Sequence, residues 1–415
     1  MTYQEAMEFL EETKKYGSVL GLDSIRALMK ELGNVQDDLS VIHVAGTNGK
    51  GSTCAFLSAI YRSAGYHVCR FSTPDVFSYE EEFLYDDTPI GKGELAEVFA
   101  VVKQACETLV CNGFPHPTRF EVETAVAFYW FSMKKPDLCI VEVGMGGETD
   151  ATNVIKRPAA SVLTAVSMDH MGFLGTKLEQ IAAVKAGIIK PDCPVISTWQ
   201  EPEAADVIIK KAQACNAAYT FSDKGKAEVD FTYELSMEGT FQKQNGLLAI
   251  DVIHALQHRF PVSEEEIRKG LANAKWPGRF ELLGTEPLFY IDGAHNVDAA
   301  KKLRQTIEGM FSEQRVIYIM GVLQDKDYEE IAEIMFTEGD VVYAVTPDNP
   351  RALSARALCD ALLDLDVRAY ECKDVRMAVE TAMELAELSD GAVVAFGSLS
   401  YLKEVKDVHA AACLI

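Results

Sequence analysis

The sequence predicts an α/β protein built from two doubly wound units, each on a mostly parallel sheet. Short apolar runs alternate with helical patterns from Leu39 to Asp292, and a second series of the same kind follows Asp292. Strands alternating with helices imply a parallel sheet covered on both faces. The length of 415 residues suits two or three domains, at roughly 150 residues each. Hydrophobic residues make up 48% and charged residues 25%, enough for a core in each domain of a globular chain.

In the first series, the run from Val41 to Ala45 reads as a strand, and helical spacing runs from Ser52 to Ala64. Further strands are expected from His67 to Phe71, Leu138 to Glu142, Ala160 to Val166 and Pro194 to Ser197. The strand before Val143 is apolar until it ends in a carboxylate, Glu142. In the second series the strands run from Leu288 to Ile291, Val316 to Met320, Val341 to Val345, Val367 to Tyr370 and Ala392 to Phe396. Helical patterns such as Ala299 to Met310 and Arg376 to Leu388 separate them. Leu283-Gly284-Thr285-Glu286-Pro287 has turn chemistry and little periodicity, so the domains are expected to be 1–283 and 284–415. No internal repeat or low-complexity segment interrupts either series.

The net charge is −24, which repels nucleic acid and anionic membrane and excludes both as expected partners. Small anionic substrates are not excluded, because a local basic pocket overrides a global field. The ten cysteines are scattered, with no C-x-x-C pair, and read as small buried hydrophobes in a reducing compartment. No apolar run reaches the roughly 18 residues of a membrane helix. Met1 to Lys15 reads as an amphipathic helix rather than a signal peptide. The tail Ala412-Cys413-Leu414-Ile415 places its cysteine one position too late for prenylation. The expected location is therefore the cytoplasm.

The strongest motif is His43-Val44-Ala45-Gly46-Thr47-Asn48-Gly49-Lys50-Gly51-Ser52-Thr53. A buried strand runs into a glycine-rich turn, and a helix starts at the Ser/Thr. Glycines let the backbone aim several N–H groups at one point, and the helix N-terminus adds positive potential, so phosphate binds there. Lys50 would reach toward the β- and γ-phosphates, and the Ser52 or Thr53 hydroxyl could ligate Mg²⁺. The spacing is shorter than that of the standard phosphate loop, G-x-x-x-x-G-K-[ST]. Glu142 ends a buried strand at the carboxyl edge, where open α/β sheets bind ligands. A carboxylate there is costly unless it meets a cation, and Mg²⁺ shared with nucleotide phosphates is the natural one.

These residues resemble the ATP loop of Mur ligases, and the His-Val-Ala-Gly-Thr-Asn-Gly-Lys-Gly-Ser form is similar to the folylpolyglutamate/dihydrofolate synthase branch. The resemblance continues in order along nearly the whole chain. It runs through Thr118-Arg119-Phe120-Glu121, Glu142-Val143-Gly144-Met145-Gly146-Gly147 and Asp150-Ala151-Thr152-Asn153. Asp169-His170, Phe173-Leu174-Gly175 and Lys185-Ala186-Gly187-Ile188 follow. Gln242 with Asn245, Trp276-Pro277-Gly278-Arg279, Asp292-Gly293-Ala294-His295-Asn296, Asp325-Lys326-Asp327 and Phe396-Gly397-Ser398 complete it.

The resemblance implies an N-terminal P-loop-like ATPase domain and a C-terminal Rossmann-like α/β domain. It implies a monomer of folate biosynthesis and one-carbon metabolism, taking a pteroate- or folate-like carboxylate and L-glutamate as substrates. The reaction it implies is ATP-dependent: an acyl phosphate and ADP form, then the glutamate amine attacks and expels phosphate. Two Mg²⁺ ions are implied. Ser52, Glu142 and the Thr73 hydroxyl would serve the first; His170 and Lys185 would serve the second, with Lys185 carbamylated. Lys50, His170, Lys185 and Arg279 would be the catalytic residues. Gly46, Thr47, Asn48, Gly49, Lys50, Gly51, Ser52 and Thr53 would cradle the phosphates. Gln242 and Asn245 match adenine-side contacts, Arg279 a phosphate-contacting arginine, and Asp292 and His295 the C-terminal domain's nucleotide contacts. Asp325-Lys326-Asp327 could close the site.

The chain departs from the family on the substrate side. Ser72-Thr73-Pro74-Asp75 stands where the family has Ser-Ser-Pro-His, and Tyr79-Glu80-Glu81-Glu82-Phe83 stands where it has Arg-Glu-Arg-Ile. Gly147-Glu148-Thr149-Asp150 replaces Gly-Gly-Arg-Leu-Asp. Three charge reversals around a substrate loop are expected to weaken anionic, polyglutamylated substrates. The alternatives are therefore a Mur-type ligase joining an amino acid to a non-folate carboxylate, or a nucleotide-binding protein that has lost catalysis. Retention of Lys50, Ser52, Glu142, His170 and Lys185 together argues against the last.

Overall fold

Five consecutive buried residues, Val41–Ala45, form β1 inside an eight-stranded sheet. A strand buried on both faces reads as a continuous apolar run, and β1 does so apart from His43. This computed structural model describes residues 1–17, 19, 21–169, 171–222 and 231–413. They fall into two compact units, Met1–Ser236 with Lys243–Lys275, and Met237–Gln242 with Trp276–Ile415.

The strands of the first unit are β1, β2 (Val68–Phe71), β3 (Phe83–Tyr85), β4 (Thr88–Pro89), β5 (Leu138–Glu142), β6 (Ala160–Leu163), β7 (Val195–Ser197) and β8 (Tyr219–Phe221). Their order is β4-β3-β2-β5-β1-β6-β7-β8. The pairs β2–β3 and β3–β4 are antiparallel and the rest parallel. The connection leaving β1 runs to β2 on one side, and the one leaving β6 runs to β7 on the other. The carboxyl ends of β1 and β6 thus flank a point where connections change direction, the place where open α/β sheets bind ligands.

Among the described residues, ten α-helices belong to this part of the chain: α1 (Tyr3–Thr13), α2 (Asp23–Glu31), α3 (Lys50–Ser63), α4 (Lys92–Cys111), α5 (Arg119–Lys134), α6 (Met171–Leu174), α7 (Leu178–Ala186), α8 (Pro202–Ala214), α9 (Gln242–Ala255) and α10 (Glu264–Asn273). Alternate residues of the strands, Val41, Cys69, Phe71, Cys139 and Val141, join a core with Phe9, Leu28, Phe99 and Trp130 from α1, α2, α4 and α5. Helix starts follow their caps. Thr2, Thr118 and Ser263 each close a reciprocal capping box with a glutamate three residues on.

The second unit holds β9 (Glu281–Thr285), β10 (Leu288–Ile291), β11 (Val316–Met320), β12 (Val341–Ala344), β13 (Arg368–Glu371) and β14 (Ala392–Phe396), in the order β13-β12-β11-β14-β10-β9. Among the described residues only β9 runs antiparallel, as a hairpin with β10. The stretch Leu283 to Pro287, read from sequence as a turn, is the end of β9 and the hairpin turn itself. Helices α11 (Val297–Met310), α12 (Tyr328–Met335), α13 (Ala355–Leu362), α14 (Val375–Ser389) and α15 (Leu402–Ala412) cover this sheet. Among the described residues no helix is long and apolar enough to cross a membrane.

Candidate active site

Gly46, directly after β1, has φ +154°. Thr164 occupies the space that a Cβ there would need. Gly49 has φ +88° and stands directly before α3, with the Asn245 side chain against it. Only glycine takes both positions without strain. Between them the loop is tied to the β6 exit. Thr47 and Asn48 donate their amides to the Ala165 carbonyl at 2.8 and 3.3 Å. Thr47 Oγ1 donates to the Ser167 carbonyl and accepts from the Ser167 amide, both at 3.1 Å. Among the described residues no side chain caps α3 at Gly49, so the helix's first turn points its positive end at the loop mouth. Ser52 and Thr53 are buried in that turn.

Lys50 donates to the Thr47 carbonyl at 3.2 Å, and its ammonium stands 3.8 Å from Glu142 Oε1. Glu142, the last residue of β5, is only 4% exposed. Lys185, near the end of α7, is equally buried and donates to the Gly46 carbonyl at 2.8 Å. Burial pushes its amine down to about 7, with the Lys50 charge acting the same way against Asp169 and Asp150. The glycine-rich loop, Lys50, Glu142 and Lys185 therefore meet at one edge of one sheet. His170 lies outside the described residues.

The turn after β5 positions Lys185. Glu148 donates its amide to the Val184 carbonyl at 2.8 Å, and Asn153 Nδ2 donates to the Glu148 carbonyl at 2.9 Å. Gly147 lies against the main chain of Lys185, and Gly187 against Glu148. Asp150 accepts from the Met145 and Thr152 amides at 2.9 and 3.0 Å and from the Thr152 hydroxyl. Thr152 in turn accepts from His43 Nε2 at 2.8 Å. Full burial drives the His43 imidazole down to about 3, so it stays neutral. His43, Asp150 and Thr152 all fall in strings that match the family, but nothing in the sequence showed that they form one chain.

The acidic loop turns inward. Glu80 and Glu82 are 7% and 5% exposed. Burial raises the Tyr3 hydroxyl, and the nearby Glu80 carboxylate acts in the same direction. The Asp75 amide donates to Glu82 Oε1 at 3.3 Å, and the Phe77 amide to Glu81 Oε2 at 3.2 Å. Arg119 holds Glu123 at 2.8 Å. Burial pushes Glu82 well above the usual carboxylate range, with the Glu123 and Asp75 charges acting in the same direction. Thr73 is half-buried and Asp75 exposed at the start of this loop.

In the second unit, Asp292 follows β10 and is buried. It accepts from the Phe280 and Ala294 amides at 2.8 and 2.7 Å. Burial raises its carboxyl, and the nearby Arg279 charge opposes that. His295 Nδ1 donates to the Gly293 carbonyl at 2.8 Å. Gln242 is buried at the start of α9, and Asn245 lies one turn further on. Asp325 pairs with Arg351 at 3.4 Å, an exposed contact.

Two sheets of this topology, with a glycine loop at the carboxyl edge of the first, have clear counterparts. Residues 44–259 match the Mur ligase middle domain, and residues 278–399 match the Mur ligase, glutamate ligase domain. The protein is thus a Mur ligase by fold and sequence. The dihydrofolate synthase/folylpolyglutamate synthase of Bacillus subtilis is 35% identical over 381 residues, covering 86% of this chain and 88% of that protein. The Mycobacterium tuberculosis folylpolyglutamate synthase complexed with ADP superimposes with a TM-score of 0.87 at 26% identity, covering 99% of this chain and 98% of that one. Escherichia coli FolC in complex with DHPP and ADP gives 0.84 at 28% identity, covering 98% of each chain. The chain belongs to the folylpolyglutamate synthase/dihydrofolate synthase family of Mur ligases.

Proposed function

We propose that this protein adds L-glutamate to dihydropteroate, to reduced folates, or to both, converting ATP to ADP through an acyl phosphate. One observation carries the reading. The glycine-rich loop, the Lys50–Glu142 pair and a buried, readily deprotonated Lys185 converge at one sheet edge. That combination suits phosphoryl transfer to a carboxylate, where positioning and charge neutralisation do most of the work. The first-turn amides of α3 and Lys50 would hold the phosphates. The substrate carboxylate would attack the γ-phosphorus and release ADP, and the glutamate amine would then displace phosphate from the acyl carbon.

Among the described residues no three His, Cys, Asp or Glu side chains converge as a protein-only metal site. The proposed donors are one buried carboxylate, Glu142, with the hydroxyls of Ser52 and Thr73. Mg²⁺ bound alongside nucleotide phosphates takes one or two carboxylates plus substrate oxygens, so this set fits it. When bound it would neutralise charge on the phosphates. Lys185, close to neutral at physiological pH, can add CO₂ and release a proton. That turns the amine into a carbamate oxygen donor for a second Mg²⁺, with His170 as its expected neighbour. In the second unit, Arg279, Asp292 and His295 are proposed as that unit's own nucleotide contacts. The same reading assigns ATP binding to residues 1–283 and ligase chemistry to 284–415, in a monomer working in the cytoplasm.

The test is ADP release with Mg-ATP and L-glutamate, adding dihydropteroate or tetrahydrofolate in turn, with product masses read in parallel. A product heavier by one glutamyl unit is expected. No turnover with either acceptor, from protein that binds ATP, would sink the folate assignment.

A further inference from the structure

Gln200 lies just past β7, and the sequence gives no motif that singles it out. Strands β6 and β7 pair as far as Leu163 and Ser197, and the Thr198 amide donates to the Leu163 carbonyl at 2.9 Å. From there a side chain carries the ladder on. Gln200 Nε2 donates to the Thr164 carbonyl at 2.9 Å and to Ser197 Oγ at 3.1 Å. Gln200 Oε1 accepts from the Val166 amide at 3.0 Å. In a parallel ladder, a residue donates to the carbonyl before its partner and accepts from the amide after it. The Gln200 carboxamide does the same around Ala165, in the place of a peptide group.

Ala165 is the residue whose carbonyl receives both loop amides, Thr47 and Asn48, at 2.8 and 3.3 Å. The β6 exit is therefore gripped on one side by the glycine-rich loop and on the other by Gln200. At 4% exposure Gln200 leaves little room for water to take over its bonds.

We propose that Gln200 is a positioning residue for nucleotide binding: it fixes Ala165, and through Ala165 the Gly46–Gly49 loop, while its own bonds are all to the β6 and β7 ends. This rests on the reading of that loop as the ATP site. The position requires a donor and an acceptor on one planar group. Methionine supplies neither. An ionised glutamate supplies only acceptors and sets a negative charge against the Thr164 carbonyl, whereas a protonated glutamate restores both roles.

The experiment is titration of ADP into the full-length wild type, Gln200→Met and Gln200→Glu at pH 6 and pH 8.5, followed by steady-state kinetics. Ser197→Ala, which removes one acceptor of the same carboxamide from outside the loop, is measured beside them. We expect Q200M to bind ADP about tenfold more weakly at both pH values, the effect of losing the two buried hydrogen bonds that hold Thr164 and Val166. Q200E should match Q200M at pH 8.5 and recover toward wild type at pH 6. S197A should lose about two- to threefold. KM for ATP should rise in the Gln200 variants while KM for glutamate holds. ADP binding by Q200M within twofold of wild type, or a Q200E defect unchanged by pH, would overturn the proposal. Should Q200M fail to fold, the pH response of Q200E and the size of the S197A loss decide alone. Failure of the wild type to bind ADP would instead remove the ATP-site reading itself.

Discussion

Lys185 sets a pH dependence whose sign and size follow from its surroundings. Its amine is pushed from 10.5 down to about 7, first by burial and then by the Lys50 charge. Charging it inside the fold therefore costs roughly 5 kcal/mol more than in the unfolded chain. For a base whose folded value is depressed, that cost appears below 10.5, grows as pH falls and is complete below about 7. The gap works out at roughly 5 kcal/mol at pH 6 and roughly 3 kcal/mol at pH 8. Lys185→Met removes the cost and also the hydrogen bond to Gly46, worth about 1 kcal/mol. In CO₂-free buffer, wild type should thus gain about 1 to 2 kcal/mol on K185M between pH 6 and pH 8, read from urea unfolding. Over the same interval the neutral fraction rises from about one tenth to about nine tenths. ADP release that depends on the neutral amine or its carbamate should rise about ninefold, and ¹³CO₂ should label wild type but not K185M. A stability difference that stays constant across this range, or ADP release flat from pH 6 to pH 8, would refute the reasoning.

Glu142→Gln keeps the shape but removes the charge facing Lys50 at 3.8 Å; ADP release should fall about a hundredfold or more with little change in melting. Gly49→Ala sets a Cβ at φ +88° against Asn245. It should cost about 1 to 2 kcal/mol in urea and weaken ADP binding measured by calorimetry. Thr118→Ala removes the cap of α5, in which Thr118 Oγ1 accepts from the Glu121 amide at 3.4 Å, and should cost about 1 kcal/mol in the same assay. His43, held near 3 rather than 6.5, destabilises the fold as pH falls through 6.5. His43→Gln should flatten an acid-unfolding slope of about 1 kcal/mol per pH unit between pH 6 and pH 3.

The central strands were legible because burial on both faces demands continuous apolar runs, as in Val41–Ala45 and Leu138–Glu142. The nucleotide loop was legible because only glycine fits at positions 46 and 49. Edge strands were not. Strand β9 carries Glu281, Gly284 and Thr285 and is nowhere fully buried, so it reads as a boundary turn. Short β3, β4 and β8 gave no usable period. Lys185 could be named from sequence, but its direction could not: a lysine on an apolar helix normally snorkels outward, and here it turns inward to Gly46. Gln200 was invisible for a different reason. Its bonds run to main-chain groups and one serine more than thirty residues back or three residues back, and main-chain partners leave no side-chain pattern to find.

The acidic loop shows how far charge counting differs from charge placement. Arginine has donors only, whereas a carboxylate has acceptors only. Replacing one by the other changes which neighbours can hold a loop, before it changes what the loop presents to a ligand. Glu81 and Glu82 accept from the amides of Phe77 and Asp75, and Glu80 is buried. Glu81 and Glu82 are thereby used as ties for the segment that follows Thr73. Burial and the neighbouring Glu123 and Asp75 charges push Glu82 above the usual carboxylate range. The reversal that pointed toward a non-folate carboxylate is largely spent inside the loop. What remains outward is Asp75, exposed beside Thr73, and Glu148, exposed in the turn after β5. The buried part of the acidic loop therefore gives no ground against a folate acceptor, and the folate reading rests on the family match and the nucleotide site.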